Sequence, residues 1–206
     1  MPSGVKVDTF LDVGAGPGEW ARVLSKHCKK YIALDISTKM LASSFYSLLP
    51  NCIKANATAT DLPIPDNSID FILCSHVLEY QDDSSACLVE FSRVLKKNGR
   101  LILITKNRHA LVWRATQSIL TLFKRNPIPK QIWHRIETIG FPKNMMIESI
   151  AYISARLPLN PNDVHDGFKP RFKNSIPMYF GNCTEQNIVG RLLGWHVGIL
   201  AIKSNR

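Results

Sequence analysis

The sequence predicts an α/β protein, a parallel sheet with helices on both faces. Three observations carry this expectation. Short apolar runs alternate with stretches of helical spacing from residue 7 to residue 107. The first run passes into its helical stretch through a glycine-rich bend, and the first two runs each meet an aspartate. Such alternation favours strand–helix–strand units, whose helices cover both sheet faces. Right-handed crossovers then set the winding.

The elements follow in order. A strand is expected at 7–13, a helix at 18–28, a strand at 30–35, a helix at 37–47 and a strand near 51–55. Next come a strand at 69–74, a helix at 83–96 and a strand at 100–106. Leu111, Ala115, Ile119, Leu122 and Phe123 have the spacing of one helix face, so a helix is expected at 109–125, stopped by Pro127 and Pro129. A short helix at 130–139 would end at Gly140, a candidate left-handed cap. Residues 145–155 and 195–203 read as two further strands.

Residues 10–20 read Phe-Leu-Asp-Val-Gly-Ala-Gly-Pro-Gly-Glu-Trp. Asp12 ends the apolar run, and Gly14, Gly16 and Gly18 follow at alternate positions. Without Cβ, such a bend can adopt positive φ and let a ligand approach bare backbone. A helix N-terminus just after it would add free N–H groups and a positive dipole end. The dinucleotide fingerprint G-x-G-x-x-G is excluded, because its third glycine would fall on Glu19 or Ala21. Asp35 ends the second run, 17 residues after Gly18. A carboxylate at that strand tip can accept hydrogen bonds from both ribose hydroxyls of a nucleoside, or cap the helix that follows.

Two later blocks complete the pattern, DLPIPDNSIDFILCSHVLEY at 61–80 and FSRVLKKNGRLILIT at 91–105. With Asp12-x-Gly14-x-Gly16-x-Gly18 and Asp35, they stand in the order found in class I S-adenosylmethionine-dependent methyltransferases. The chain resembles the branch that includes quinone and small-molecule methylating enzymes. The resemblance covers residues 10–107 and fades beyond. It implies a Rossmann-like seven-stranded sheet whose last strand is inserted antiparallel between the fifth and sixth. It implies S-adenosyl-L-methionine as cofactor. Asp12, Gly14, Gly16 and Gly18 match the motif around the methionine part and ribose, Asp35 the ribose acid, and Ile36 the apolar neighbour of adenine. Thr58 stands where the family often has an acid that binds the adenine amino group, with Ala59 next; Ser75, at the end of the fourth strand, joins the cofactor set. The usual helix before the first strand has no counterpart here, so the pocket is expected to be more open, or closed by residues 156–183.

The sulfonium methyl is already activated, so transfer gains most from alignment. A general base matters only when the acceptor carries a proton at neutral pH. His76, just after the fourth strand, is the candidate by position and intrinsic acidity; Glu79, Tyr80 and His109 are weaker ones.

The 206 residues suit one domain, with a cofactor-binding half at 1–107 and a substrate-side half at 108–206. The long segment at about 156–183 is an insertion between the last two strands, rich in Pro and Gly, with Phe168-Lys169-Pro170-Arg171-Phe172-Lys173 at its centre. No apolar run approaches the ~20 residues of a membrane-crossing helix, and Met1–Thr9 lacks the apolar stretch of a signal peptide. The five cysteines form no CxxC pair, so a cytoplasmic protein with reduced thiols and no metal site is expected. The net charge of +10 is uneven: 12 basic and 11 acidic residues in 1–107, against 14 and 5 in 108–206. That excess fits an anionic or aromatic small-molecule acceptor near 168–173, or RNA. The preferred expectation is a methyltransferase acting on a small molecule. An RNA methyltransferase using the basic half, or a non-catalytic protein on the same scaffold, are the alternatives. Against RNA, no Asn-Pro-Pro-Tyr or Pro-Cys motif occurs.

Overall fold

Seven strands organise the chain: β1 (Val7–Val13), β2 (Cys28–Asp35), β3 (Cys52–Asn56), β4 (Ile69–Ser75), β5 (Leu95–Lys106), β6 (Met145–Ile153) and β7 (His196–Lys203). The computed structural model describes residues 7–107, 139–153 and 196–204. The strands form one sheet in the order β3-β2-β1-β4-β5-β7-β6. β1 to β5 are parallel, and β7 runs antiparallel to both β5 and β6. The Rossmann-like arrangement and the inserted last strand are as expected.

Both faces of the sheet are covered. Along β1, Phe10 points to one face and Leu11 to the other, and both are buried. On the first face Phe10 stacks between Tyr31 of β2 and Phe71 of β4, at ring distances of 5.5 and 5.3 Å. Ala21 of α1 (Ala21–Leu24), Leu41 of α2 (Thr38–Leu41) and Tyr46 close over them. On the other face Leu11, Ile72 and Leu101 meet Leu88 and Phe91 of α3 (Ser84–Val94). Each such side chain contributes roughly 1.5–3 kcal/mol by leaving water.

The helices are shorter than their spacing suggests, and register explains why. The helix expected at 18–28 shrinks to α1 and a 3-10 turn, Ser25–His27, because Cys28 already pairs with Val7. The helix expected at 37–47 is divided. Ser37 caps α2 by accepting from the Met40 N–H, and Ser43 caps a separate 3-10 turn, Ser44–Leu48, by accepting from the Phe45 N–H. The helix expected at 83–96 stops at Val94, since Leu95 pairs with Ile69 and opens β5 early; Asn98 then turns the strand at φ 62°. Gly140 is not in the left-handed region, so the cap expected there is absent. The helix at 109–125, most of the one at 130–139, the insertion at 156–183 with its basic-aromatic run, and His109 lie outside the described residues.

Candidate functional site

The carboxyl ends of β1, β2 and β4 meet where the strand order changes direction, between β1 and β4. In open α/β sheets this is where ligands bind. The glycine bend connects β1 to α1. Gly14, Gly16 and Gly18 have φ of 70°, 55° and 100°, a region that side chains disfavour. The three serve different ends. A Cβ on Gly14 would strike Cγ2 of Val77, so its space belongs to the turn after β4 rather than to a ligand. A Cβ on Gly18 would strike Phe45 and Tyr46. Among the described residues a Cβ on Gly16 would meet nothing within 4 Å, so of the three only Gly16 borders open space there.

The bend is tied down from β2. Leu34 O accepts from the Gly14 and Ala15 N–H groups at 2.8 and 3.0 Å, and Asp35 Oδ2 accepts from the Gly16 N–H at 2.9 Å. The Tyr46 hydroxyl donates to Gly16 O at 2.8 Å, with Ala15 O at 3.2 Å. The amides of residues 14–16 are therefore occupied, and a four-residue α1 offers no useful dipole. The expected donor-rich, anion-favouring bend is not what forms. The bend is framed by acceptors instead.

Two carboxylates provide them. Asp12, at 1% exposure, lies on the β1 face shared with Phe10. Tyr31 donates its hydroxyl to Asp12 Oδ2, and Oδ1 has no hydrogen-bond partner among the described residues. Burial raises this carboxyl to about 7, the Tyr31 bond opposes the rise, and the charge of Asp35 adds to it. Asp35 Oδ1 accepts from the Ser37 N–H at 2.8 Å. Its two bonds leave about two of a carboxylate's roughly four acceptor positions unused. Its bond to the Ser37 N–H is not the helix cap, which Ser37 itself supplies, and the unused positions are open to a ribose. Ile36 beside it is 72% exposed, an apolar side chain set out in solvent. Asn56 holds this corner by donating to the carbonyls of Asp35 and Ile36. Thr58 and Ala59 follow β3 on the same side, joined to β2 where the Ala57 N–H reaches Asp35 O. Thr58 is exposed and Ala59 buried.

A second polar group forms at the ends of β4 and β5. Ser75 ends β4, half-buried, and His76 turns the chain at φ 59° with its N–H on Ile104 O. His76 Nδ1 lies 2.8 Å from Glu79 Oε1, and Thr105 donates to Glu79 Oε2 at 3.0 Å. Glu79 is buried. Desolvation works to raise its carboxyl, but its bond to His76 and that residue's charge, with Thr105, hold it below the ordinary range. His196 of β7 meets the His76 ring edge-on at 4.7 Å, and burial, aided by His76 and Lys106, pushes it down to about 4. Tyr80 is exposed.

The fold brings the strand ends that carry Asp12, Asp35 and Ser75 to one edge of the sheet and adds Tyr31, Tyr46, Thr105 and His196, which the sequence did not single out. Tyr31 left a trace. Asp12 pairs with Ala33, so Tyr31, two residues earlier, shares its face and carries a hydroxyl donor. Among the described residues no three His, Cys, Asp or Glu side chains converge as a metal site would require, and no helix is long and apolar enough to cross a membrane.

Residues 11–103 match the model of a family described as a methyltransferase domain. An uncharacterized methyltransferase of Bacillus subtilis is 36% identical over 98 residues, 46% of this chain and 39% of that protein. A ubiquinone/menaquinone biosynthesis C-methyltransferase of Teredinibacter turnerae is 27% identical over 211 residues, covering 97% of this chain and 78% of the relative. The solved structure of the Bacillus subtilis protein superposes with a TM-score of 0.61 at 20% identity, over 99% of this chain and 95% of that one, which supports the shared fold. The chain covers about two-fifths of the length of several of the curated relatives that it matches. Strand order, the glycine bend and the two strand-end acids agree with these matches, and residues 11–103 are a methyltransferase domain of the matched family.

Proposed function

We propose that the chain binds S-adenosyl-L-methionine at the ends of β1 and β2 and methylates a small-molecule acceptor near the end of β4. The observation that carries this reading is the acceptor-rich cradle. Among the described residues, Asp12 has a partnerless buried oxygen beneath the bend, Asp35 has acceptor capacity at its edge, and the space above Gly16 is open. A cationic ligand with two ribose hydroxyls fits this set. A pyrophosphate does not, because its charge would face two carboxylates and occupied amides.

Asp35 would accept from the ribose hydroxyls. Ile36 would lie against the adenine face, with Thr58 and Ala59 at the adenine edge. The bend from Gly14 to Gly18 would border the methionine part, and a cation there would favour the ionised form of Asp12. Ser75 would line the passage between cofactor and acceptor. His76, with part of its ring exposed, would face the acceptor. The cofactor, when bound, supplies a methyl group already activated by the sulfonium, so these residues mainly align the reactants. The small-molecule class takes support from the similarity, over 97% of this chain, to the quinone-biosynthesis enzyme.

Calorimetric titration with S-adenosylhomocysteine and, separately, NAD tests the reading. Heat of binding with the first and none with the second is expected. Binding of NAD alone would overturn it.

A further inference from the structure

We propose that Tyr46 is a positioning residue of the cofactor site, which with Asp35 holds Gly16 so that the bend presents a bare Cα to the ligand, and that Gly18 serves Tyr46 rather than the ligand. The inference deepens the methyl-donor reading above and rests on it. It starts from where the polar atoms of Gly16 go. The Gly16 N–H donates to Asp35 Oδ2 at 2.9 Å. The Tyr46 hydroxyl donates to Gly16 O at 2.8 Å and stands 3.2 Å from Ala15 O. Asp35 ends β2 and Tyr46 lies in the connection from β2 to β3, so one short stretch of chain grips one glycine from both sides. With its donor and its acceptor engaged, Gly16 has its methylene to offer the open space found there among the described residues.

The core does not ask for a hydroxyl at this position. The Tyr46 ring is 3% exposed, in the apolar cluster with Phe10, Ala21 and Leu41, a place that phenylalanine would fill equally well. Packing accounts for the ring, and the bend accounts for the hydroxyl. The backbone fixes the ring's origin, with the Tyr46 N–H on Ser43 O at 3.2 Å and the Leu49 N–H on Tyr46 O at 3.1 Å. Burial first, and the charge of Asp12 next, hold the ionisation of Tyr46 above the ordinary range, so the hydroxyl remains a donor at neutral pH. Gly18 makes the approach possible. At its φ of 100°, a Cβ would stand 2.8 Å from Cδ1 of Phe45 and 3.3 Å from Cε1 and Cζ of Tyr46. The two rings occupy the space that Gly18 leaves, and Arg22 of α1 lies over Phe45 at 5.5 Å from the ring centre.

This grip has a consequence for binding. A bend whose polar groups are already committed has little freedom left to lose when a ligand arrives, so the ordering cost is met on folding rather than on binding. Without the hydroxyl, the carbonyls of Ala15 and Gly16 lose their common donor and the bend samples more conformations. The fraction competent to receive the ligand then falls, and apparent affinity falls with it.

The test has two arms. In the first, amide hydrogen exchange is compared in wild type and Tyr46→Phe without ligand. Exchange at Gly16 should rise at least about 3-fold more than at Ile72 and Leu103 in the middle of the sheet. An equal rise at all three, which a hydroxyl acting only on overall stability would give, overturns the proposal. In the second arm, S-adenosylhomocysteine is titrated into wild type, Tyr46→Phe, Gly18→Ala and the double variant, with thermal melts confirming that each is folded. Tyr46→Phe should weaken binding about 3- to 10-fold, the worth of one hydrogen bond. Affinity equal to that of wild type overturns the role of Tyr46. Where Gly18 is already alanine and the rings are displaced, Tyr46→Phe should cost less than about 2-fold more. Full addition of the two losses overturns the assignment of Gly18. A folded wild type with no affinity for S-adenosylhomocysteine would overturn the donor reading, while the first arm, which uses no ligand, decides by itself whether Tyr46 holds the bend.

Discussion

Asp12 and Glu79 are buried carboxylates at the ends of neighbouring parts of one sheet, and they are treated oppositely. Glu79 has both oxygens bonded, to His76 and Thr105, and its carboxyl lies below the ordinary range. Asp12 has one oxygen bonded and one alone, and burial lifts it to about 7. Asp12 is the more deeply desolvated of the two, and the partners of Glu79 widen the difference. The β4–β5 end holds a polar group finished within the protein. The β1–β2 end holds one left incomplete, which a cationic ligand would complete.

Removing the finished group should be the most damaging change. Glu79→Ala strands the Thr105 hydroxyl and the inner nitrogen of His76 and opens a hole, so urea unfolding should show a loss of about 3–5 kcal/mol. A loss below about 1 kcal/mol would mean that the two bonds contribute little.

The unfinished group should respond in the other direction. The folded pKa of Asp12 exceeds its unfolded value of 3.8, so the native state holds the proton longer. Its contribution is fully present below pH 3.8 and is lost as pH rises toward about 7. Asp12→Asn removes that loss while keeping an acceptor for Tyr31. It should therefore be more stable than wild type at pH 8, by on the order of 2 kcal/mol, with the advantage shrinking toward pH 4. Equal pH dependence of the two proteins in thermal melts would contradict the contrast.

The glycine bend sharpens the same comparison at smaller scale. Gly14→Ala drives a Cβ into Val77 at positive φ and should cost about 1–3 kcal/mol, partly recovered by adding Val77→Ala. Gly16→Val meets only open space and should cost about 1–2 kcal/mol of backbone strain, yet abolish S-adenosylhomocysteine binding. Similar stability losses with binding intact in the Gly16 variant would assign both glycines to the turn alone.

The parallel part of the sheet was legible because its signals are local, whereas the antiparallel place of β7 came from the family resemblance. A glycine bend after an apolar run, an acid at the next strand tip and regular alternation need no tertiary information. Helix lengths were not, since the pairing of Cys28 with Val7 and of Leu95 with Ile69 takes residues that helical spacing alone would assign to helices. The carboxylate environments were less legible still. Glu79 meets Thr105 across 26 positions and Asp12 meets Tyr31 across 19, contacts that only the folded sheet creates. The donor-rich bend inferred from glycine spacing became an acceptor-rich one, because β2 uses the loop amides itself.

The smallest structural effect is expected at Ile36. At 72% exposure, Ile36→Ser should change stability by less than about 0.5 kcal/mol. It should weaken S-adenosylhomocysteine several-fold by removing the apolar seat. Unchanged affinity would move adenine elsewhere.

The central claim is that Asp35 receives the ribose of an S-adenosyl ligand at the unfinished end of the sheet. Calorimetric titration of S-adenosylhomocysteine into wild type and Asp35→Ala tests it most directly, with thermal melts confirming that both are folded. Losing the charge-assisted bonds should weaken binding by about 1.5–3 kcal/mol, roughly 10- to 150-fold. Equal affinity in the two proteins, or no binding by a folded wild type, would contradict the account.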